Sequence, residues 1–468
     1  MNFVTQSFIL FFLVALPLCL ATSGKRQIFI PALILCNLVF YYSTGIRGLC
    51  VLILAALIAW TGGRLLTRRK SRMILALCAA ALLSLLGLFK YYEFFLLSFS
   101  DLAGLAGLKV SLLGALGFSD FFVYITGLSF FSFQAIAYIA DCYTDKIKTP
   151  FTFPDVLAYL SFFPTVCAGP IIRPGAFFEQ IGCLRTDEDS FSEAVCLILS
   201  GLIKKVVIAS YLSEHIVREV FSTPDACSSA AVLLGIYGYA AQIYCDFSGY
   251  SDLAMGIGRL MGFRLPQNFE NPYLALSIQD FWRRWHITLS TWLRDYVYIP
   301  LGGSRRGNTY VNLMLTMLLG GLWHGSAWTF VLWGGLHGAG LVIHRIFSKC
   351  FKEIQKSLLW RFLSWTLTFH VVAALWVLFR ADDISIVQAI FRQLFAFSSA
   401  GYGCPLLAIA SVAACFFIQL YGRACSAYFH RLFKPLHWLL QALVAGLLGI
   451  LIMALGPEGT LPFIYFGF

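Results

Sequence analysis

Long apolar runs separated by short loops that carry the basic residues organise this chain. Runs over Ser7–Ala21, 28–42 and 49–61 open it, and further runs lie near 74–98, 118–140, 193–212, 228–246, 309–340, 360–379, 404–420 and 436–455. A barrel strand shows only about ten alternating residues, whereas these runs are longer and unbroken. Lipid leaves helices and closed barrels as the only spanning structures. The pattern therefore predicts an all-α polytopic membrane protein with roughly ten or eleven transmembrane helices. The stretch from Phe162 to Pro170 is apolar but carries Pro164 and Pro170, which predicts a re-entrant or interfacial piece covered by protein.

The loops assign a direction. Arg64, Arg68, Arg69, Lys70 and Arg72 form the densest basic cluster, and Lys25-Arg26 lies two spans earlier. Basic loops stay in the cytoplasm, so both clusters agree on an N-terminus outside. Ser7–Ala21 lacks a preceding basic region and is followed at once by more spans, so it is expected as a retained first helix rather than a cleaved signal. No repeat or soluble domain is visible, and a single integral-membrane domain over 1–468 is expected.

Composition adds exclusions. Hydrophobic residues make up 59% of the 468 and charged residues only 12%, about half the charge of a soluble domain; mean hydropathy is +0.79. The net charge of +11 follows the inter-span loops rather than a basic face, so no nucleic-acid partner is expected. The 14 cysteines are scattered without CxxC or Cys/His spacing, which predicts neither a disulfide framework nor a metal.

Residues 270–308 differ in kind. Read as one helix, Phe281, Trp285, Leu289, Trp292 and Tyr296 share an apolar side, while Arg283, Arg284, Thr291 and Arg294 share a polar stripe. Such a helix suits the membrane–water boundary. Pro300, Gly302 and Gly303 end it, and Arg305-Arg306 mark the cytoplasmic side. His286 falls at the border of the two faces.

His324 is expected deeper. A helix starting near Thr309 carries it about 22 Å inward at 1.5 Å per residue. Gly320 and Gly321 lie one turn before it, leaving room for a ligand or another backbone, and Trp328 one turn after it offers a wall. Intramembrane histidine is rare and defaults to a functional reading, and a neutral imidazole can take a proton from an attacking hydroxyl. His337 is expected nearer the opposite surface as a structural or lining residue. Asp246 and Asp252 are candidates to cap a span or pair with the arginines.

At these residues a resemblance becomes specific. The run from Phe281 to Gly303, Phe-Trp-Arg-Arg-Trp-His continuing to Tyr-Ile-Pro-Leu-Gly-Gly, resembles the signature of the membrane-bound O-acyltransferase (MBOAT) family, in its alginate O-acetyltransferase-like branch. Ser132-Phe133-Gln134, Phe163-Pro164, Ala168-Gly169-Pro170-Ile171, Asp246 to Asp252, Asn268 with Asn271-Pro272-Tyr273, Gly320 to Gly325, and Phe463 to Phe468 extend it. Coverage runs from about Gly127 to the end, with residues 118–468 as the catalytic core and 1–110 as less typical spans. Cys245 replaces a usual aromatic residue, and Gly467 a usual glutamine.

The resemblance implies a ring of helices, with re-entrant and interfacial pieces, around a central funnel where His324, the catalytic histidine, meets His286. It implies a cytoplasmic acyl thioester as donor substrate, acetyl-CoA in this branch, and no bound cofactor. The acceptor would be an extracytoplasmic polysaccharide, reached directly or through a periplasmic transferase partner at the bacterial inner membrane. Arg283, Arg284, Arg294, Arg305 and Arg306 suit the phosphates of such a donor, with Trp328 as its wall and Asn268 lining the entry. The alternatives are D-alanyl transfer to teichoic acid and, from another class, a polysaccharide or lipid-sugar transporter, whose paired broken helices are not visible here.

Overall fold

A computed structural model describes residues 1–105, 125–181, 184, 187–350 and 357–457. These residues are built from helices, and the bridge between Cys227 and Tyr402 is their one isolated β pairing. The C-terminal motif Phe463–Phe468 and the start of the 118–140 run lie outside the described residues. The chain divides into two compact units, Met1–Arg185 and Thr186–Phe468.

Unit one holds α1 (Gln6–Thr22), α2 (Arg26–Tyr42), α3 (Ile46–Arg68), α4 (Arg72–Leu86), α5 (Tyr92–Leu105), α6 (Leu128–Tyr143), α7 (Phe153–Leu160) and α8 (Pro174–Ile181). Between α7 and α8 the chain is irregular yet buried from Ser161 to Pro170, as the prolines predict. Buried polar backbone needs partners. Asn37 on α2 provides them: its Oδ1 accepts from the Phe163 N–H at 3.1 Å, and its Nδ2 donates to the Ala158 carbonyl at 3.2 Å.

Unit two begins with α9 (Glu188–Leu202), which runs into a π-helical stretch, Ile203–Ala209. It continues with α10 (Ser229–Leu260), α11 (Ile278–Arg284), α12 (Ile287–Leu293), α13 (Thr309–His324), α14 (Trp328–Cys350), α15 (Leu358–Arg380), α16 (Ile384–Leu394), α17 (Leu406–Phe433) and α18 (Trp438–Leu455). Small residues let α9 and α10 meet closely: a Cβ added to Gly249 would sit 2.9 Å from the Gly201 carbonyl oxygen. On α18, Leu443, Leu447 and Ile450 stay exposed, as a lipid-facing side requires.

Among the described residues, 8 helices are long and apolar enough to cross a membrane. Of the other runs expected to span, α1 and α2 are apolar but shorter, α13 has 16 residues, and the 118–140 run is described only from 125, with α6 in it. The 309–340 run is two helices, α13 and α14, turning at Gly325.

Candidate active site

The aromatic–arginine segment is not one helix. It breaks between α11 and α12, where His286 adopts a left-handed backbone with φ of 42°. Such a break leaves backbone groups without helical partners. The extended loop after α10 satisfies them. Glu270 N–H donates to the Arg284 carbonyl at 2.9 Å, and Ile287 N–H donates to the Asn268 carbonyl at 2.9 Å. Phe281, Trp285, Leu289 and Trp292 are nevertheless buried, as the periodicity predicts.

The same loop sets the protonation of His286. Asn268 Oδ1 accepts the Thr288 backbone N–H at 3.2 Å and the Thr288 hydroxyl at 2.8 Å. An atom accepting a backbone N–H is the amide oxygen, which fixes the amide's orientation. The His286 Nδ1, 3.1 Å from that oxygen, must therefore be the donor. Nε2 then carries the lone pair, and it is buried with no hydrogen-bond partner among the described residues. A neutral His286 in this tautomer accepts a hydrogen bond at Nε2 and cannot donate one there. The remaining Asn268 donor, Nδ2, reaches Ser251 Oγ at 3.3 Å. Asn268, 1% exposed, thus holds the His286 ring in place.

His324 closes α13 as its last residue and is 2% exposed. The turn to α14 is tight because glycines face each other: a Cβ on Gly321 would lie 3.0 Å from Gly334 Cα. His286 and His324 both pack on Trp323, with ring centroids 6.0 and 5.0 Å from it. The other walls of His324 are Trp333 and Phe379, each at 5.1 Å and edge-on. Trp333 in turn stacks on Trp376 at 5.6 Å. Aromatic pairs of this geometry contribute about 0.5–1.5 kcal/mol each beyond their buried area. The imidazole is therefore held in a stiff aromatic cage.

Among the described residues Trp333 forms a wall of His324. Trp328 is 59% exposed at the start of α14. The chain leaves helical geometry after His324, so extrapolating one turn past it misplaces the indole. His337 packs beside the Trp333 indole. It is fully buried, 4.7 Å from Trp333, and its Nδ1 accepts from the Trp282 indole N–H at 3.3 Å.

Arg284 Nε donates to Asp280 at 2.9 Å and Arg294 Nε to Asp295 at 2.7 Å. Arg283, Arg294, Arg305 and Arg306 are exposed. Breaking the helix at His286 also removes the single stripe that Arg283, Arg284 and Arg294 would share. Asp246 and Asp252 pair with lysines instead of arginines: Lys205 and Lys204, on the π-helical stretch, reach them at 2.5 Å each. The signal was present in two adjacent lysines inside an apolar run.

The profile of the MBOAT, membrane-bound O-acyltransferase family, matches residues 82–377. The "Probable alginate O-acetylase AlgI" of Pseudomonas putida is 42% identical over 278 residues, covering 58% of this chain and 55% of that protein. The "Peptidoglycan O-acetyltransferase" of Helicobacter pylori is 36% identical over 296 residues, covering 57% and 56%. The "Teichoic acid D-alanyltransferase" of Streptococcus thermophilus is 30% identical over 247 residues, covering 49% and 59%. The chain spans about half the length of the curated relatives it matches. With the family profile covering most of the chain and both histidines falling within it, this membrane protein belongs to the membrane-bound O-acyltransferase family.

Proposed function

We propose that this chain is a membrane O-acetyltransferase that moves acetyl groups from acetyl-CoA in the cytoplasm to a hydroxyl of an extracytoplasmic polysaccharide. The carrying observation is that His324 and His286 are buried against one indole, Trp323, within the family-matched segment. His324 takes the proton of the acceptor hydroxyl as its oxygen bonds to the thioester carbonyl carbon. The tetrahedral oxyanion then collapses, the C–S bond breaks, and the thiolate leaves with the proton from the imidazolium. General-base help is worth about 10² to 10⁴ in rate, so positioning must supply the remainder. His286, whose Nε2 can only accept, suits a pantetheine amide N–H and so the orientation of the donor. Exposed Arg283, Arg294, Arg305 and Arg306 suit its phosphates.

The relatives named for O-acetylation of alginate and of peptidoglycan support this reading, and the lower identity to the D-alanyltransferase favours it over D-alanyl transfer. Family membership argues against the transporter alternative. The basic loops at Lys25-Arg26 and 64–72 support an inner-membrane placement with the N-terminus outside. Delivery through a periplasmic partner fits an acceptor outside the membrane. The test is His324→Ala in purified, folded protein, with release of CoA from acetyl-CoA followed in the presence of oligomannuronate. Loss of turnover is expected, and wild-type turnover would remove His324 from the chemistry.

A further inference from the structure

The geometry points to His337 as a third functional imidazole, a hydrogen-bond donor to the acyl oxygen during transfer. The inference rests on the acetyl-transfer reading above and names a group that reading does not use. An indole nitrogen can only donate, so the contact from Trp282 Nε1 makes His337 Nδ1 the acceptor and places the ring proton on Nε2. That Nε2–H is buried, and among the described residues it has no hydrogen-bond partner. A buried donor without an acceptor is costly, and a ligand in the site would supply that acceptor.

His337 is held by rings on several sides. Phe281 stacks on it at 6.1 Å with a 12° tilt, and Trp282 and Trp333 pack edge-on at 5.2 and 4.7 Å. Trp333 is also the wall of His324, so a single indole separates the two imidazoles. The Trp333 indole N–H is itself buried without a hydrogen-bond partner among the described residues. The fold brings them together through the tight α13–α14 turn at Gly321 and Gly334. Acyl transfer develops negative charge on the former carbonyl oxygen, and a fixed N–H in a dry site stabilises it strongly. His286 and His337 thus differ in what they offer at Nε2. Asn268 leaves a lone pair on the first, and Trp282 leaves a hydrogen on the second.

The test uses the full chain in lipid nanodiscs with acetyl-CoA and oligomannuronate as probes. His337→Phe keeps the ring and removes the donor, and is expected to lower kcat by about 10²–10³-fold with the acetyl-CoA KM changed less than about threefold. His337→Gln places an amide N–H near the Nε2 position and is expected to recover at least about tenfold of that loss, whereas His337→Asn, too short to reach, is not. In a His324→Ala background, where the thioester persists, the infrared carbonyl stretch of bound [1-¹³C]acetyl-CoA is expected below its value in solution. That shift should vanish with His337→Phe or His337→Asn and survive with His337→Gln. A folded His337→Phe with near wild-type kcat, or a carbonyl stretch indifferent to residue 337, overturns the assignment while leaving acetyl transfer intact. Absence of acetyl transfer by the wild-type protein overturns both.

Discussion

Asn268 fixes which nitrogen of His286 carries the proton, because its side-chain oxygen already accepts the Thr288 backbone N–H and leaves Nδ1 as the only possible donor. Asn268→Ala should release the ring and its tautomer. A loss of about 10–100-fold in kcat is expected, the scale seen when groups that orient a functional histidine are removed. Asn268→Asp keeps the acceptor and should lie nearer wild type. Steady-state turnover of acetyl-CoA decides it, and equal losses in the two variants would count against tautomer control.

The α13–α14 turn should tolerate bulk at one glycine and not at its neighbour. Among the described residues a Cβ on Gly320 meets only Leu293 Cδ1, at 3.2 Å, whereas one on Gly321 drives into the backbone of α14 near Gly334 and Phe330. Overpacking of this kind costs about 1–3 kcal/mol. Gly321→Ala is therefore expected to lower the thermal midpoint and turnover together, and Gly320→Ala to change both little. Thermal unfolding in detergent, read beside activity, checks the contrast.

The Lys205–Asp246 ion pair is buried, with side chains 4% and 9% exposed. Removing one partner takes the buried counter-charge from the other, which costs about 3–5 kcal/mol. Lys205→Met should therefore give little folded protein. Lys205→Met combined with Asp246→Asn should restore folding, since neither charge remains. Yield of monodisperse protein on size-exclusion chromatography is the readout, and a well-folded single variant would show that the pair does not hold the π-helical stretch after α9 against α10.

Arg305→Gln combined with Arg306→Gln should raise the acetyl-CoA KM severalfold with kcat preserved, since exposed guanidinium groups bind phosphate without touching the reacting carbon. Added salt should have the same effect on the wild type by screening these exposed charges. An unchanged KM in the double variant would assign these arginines to membrane topology alone.

Much of this was legible in the sequence, and the misses have physical reasons. The start of α13 at Thr309, with His324 on the same helix, followed from the apolar run. Burial of Phe281, Trp285, Leu289 and Trp292 followed from periodicity. The break at His286 was not legible, because the groups that make it possible come from residues 268–270, on a separate loop. The wall of His324 was assigned to Trp328 because a helix was carried through Gly325, where the chain turns. The partners of Asp246 and Asp252 were not legible, because Lys204 and Lys205 reach them from a separate, facing helical stretch. His337 was read as a structural or lining residue, and its place beside Trp333 depends on the turn that folds α14 back beside α13, a reversal that distance along the sequence does not reveal.

The positive φ at His286 carries a consequence for what this position can accommodate. Left-handed backbone disfavours β-branched side chains, while Asn, Asp and His are enriched there. Valine or isoleucine at 286 would disturb the chain path before any chemistry was lost. Asparagine would enter the same conformation at little cost and replace the imidazole lone pair with an amide. That substitution separates scaffold from reactivity at a point where most others would confound them.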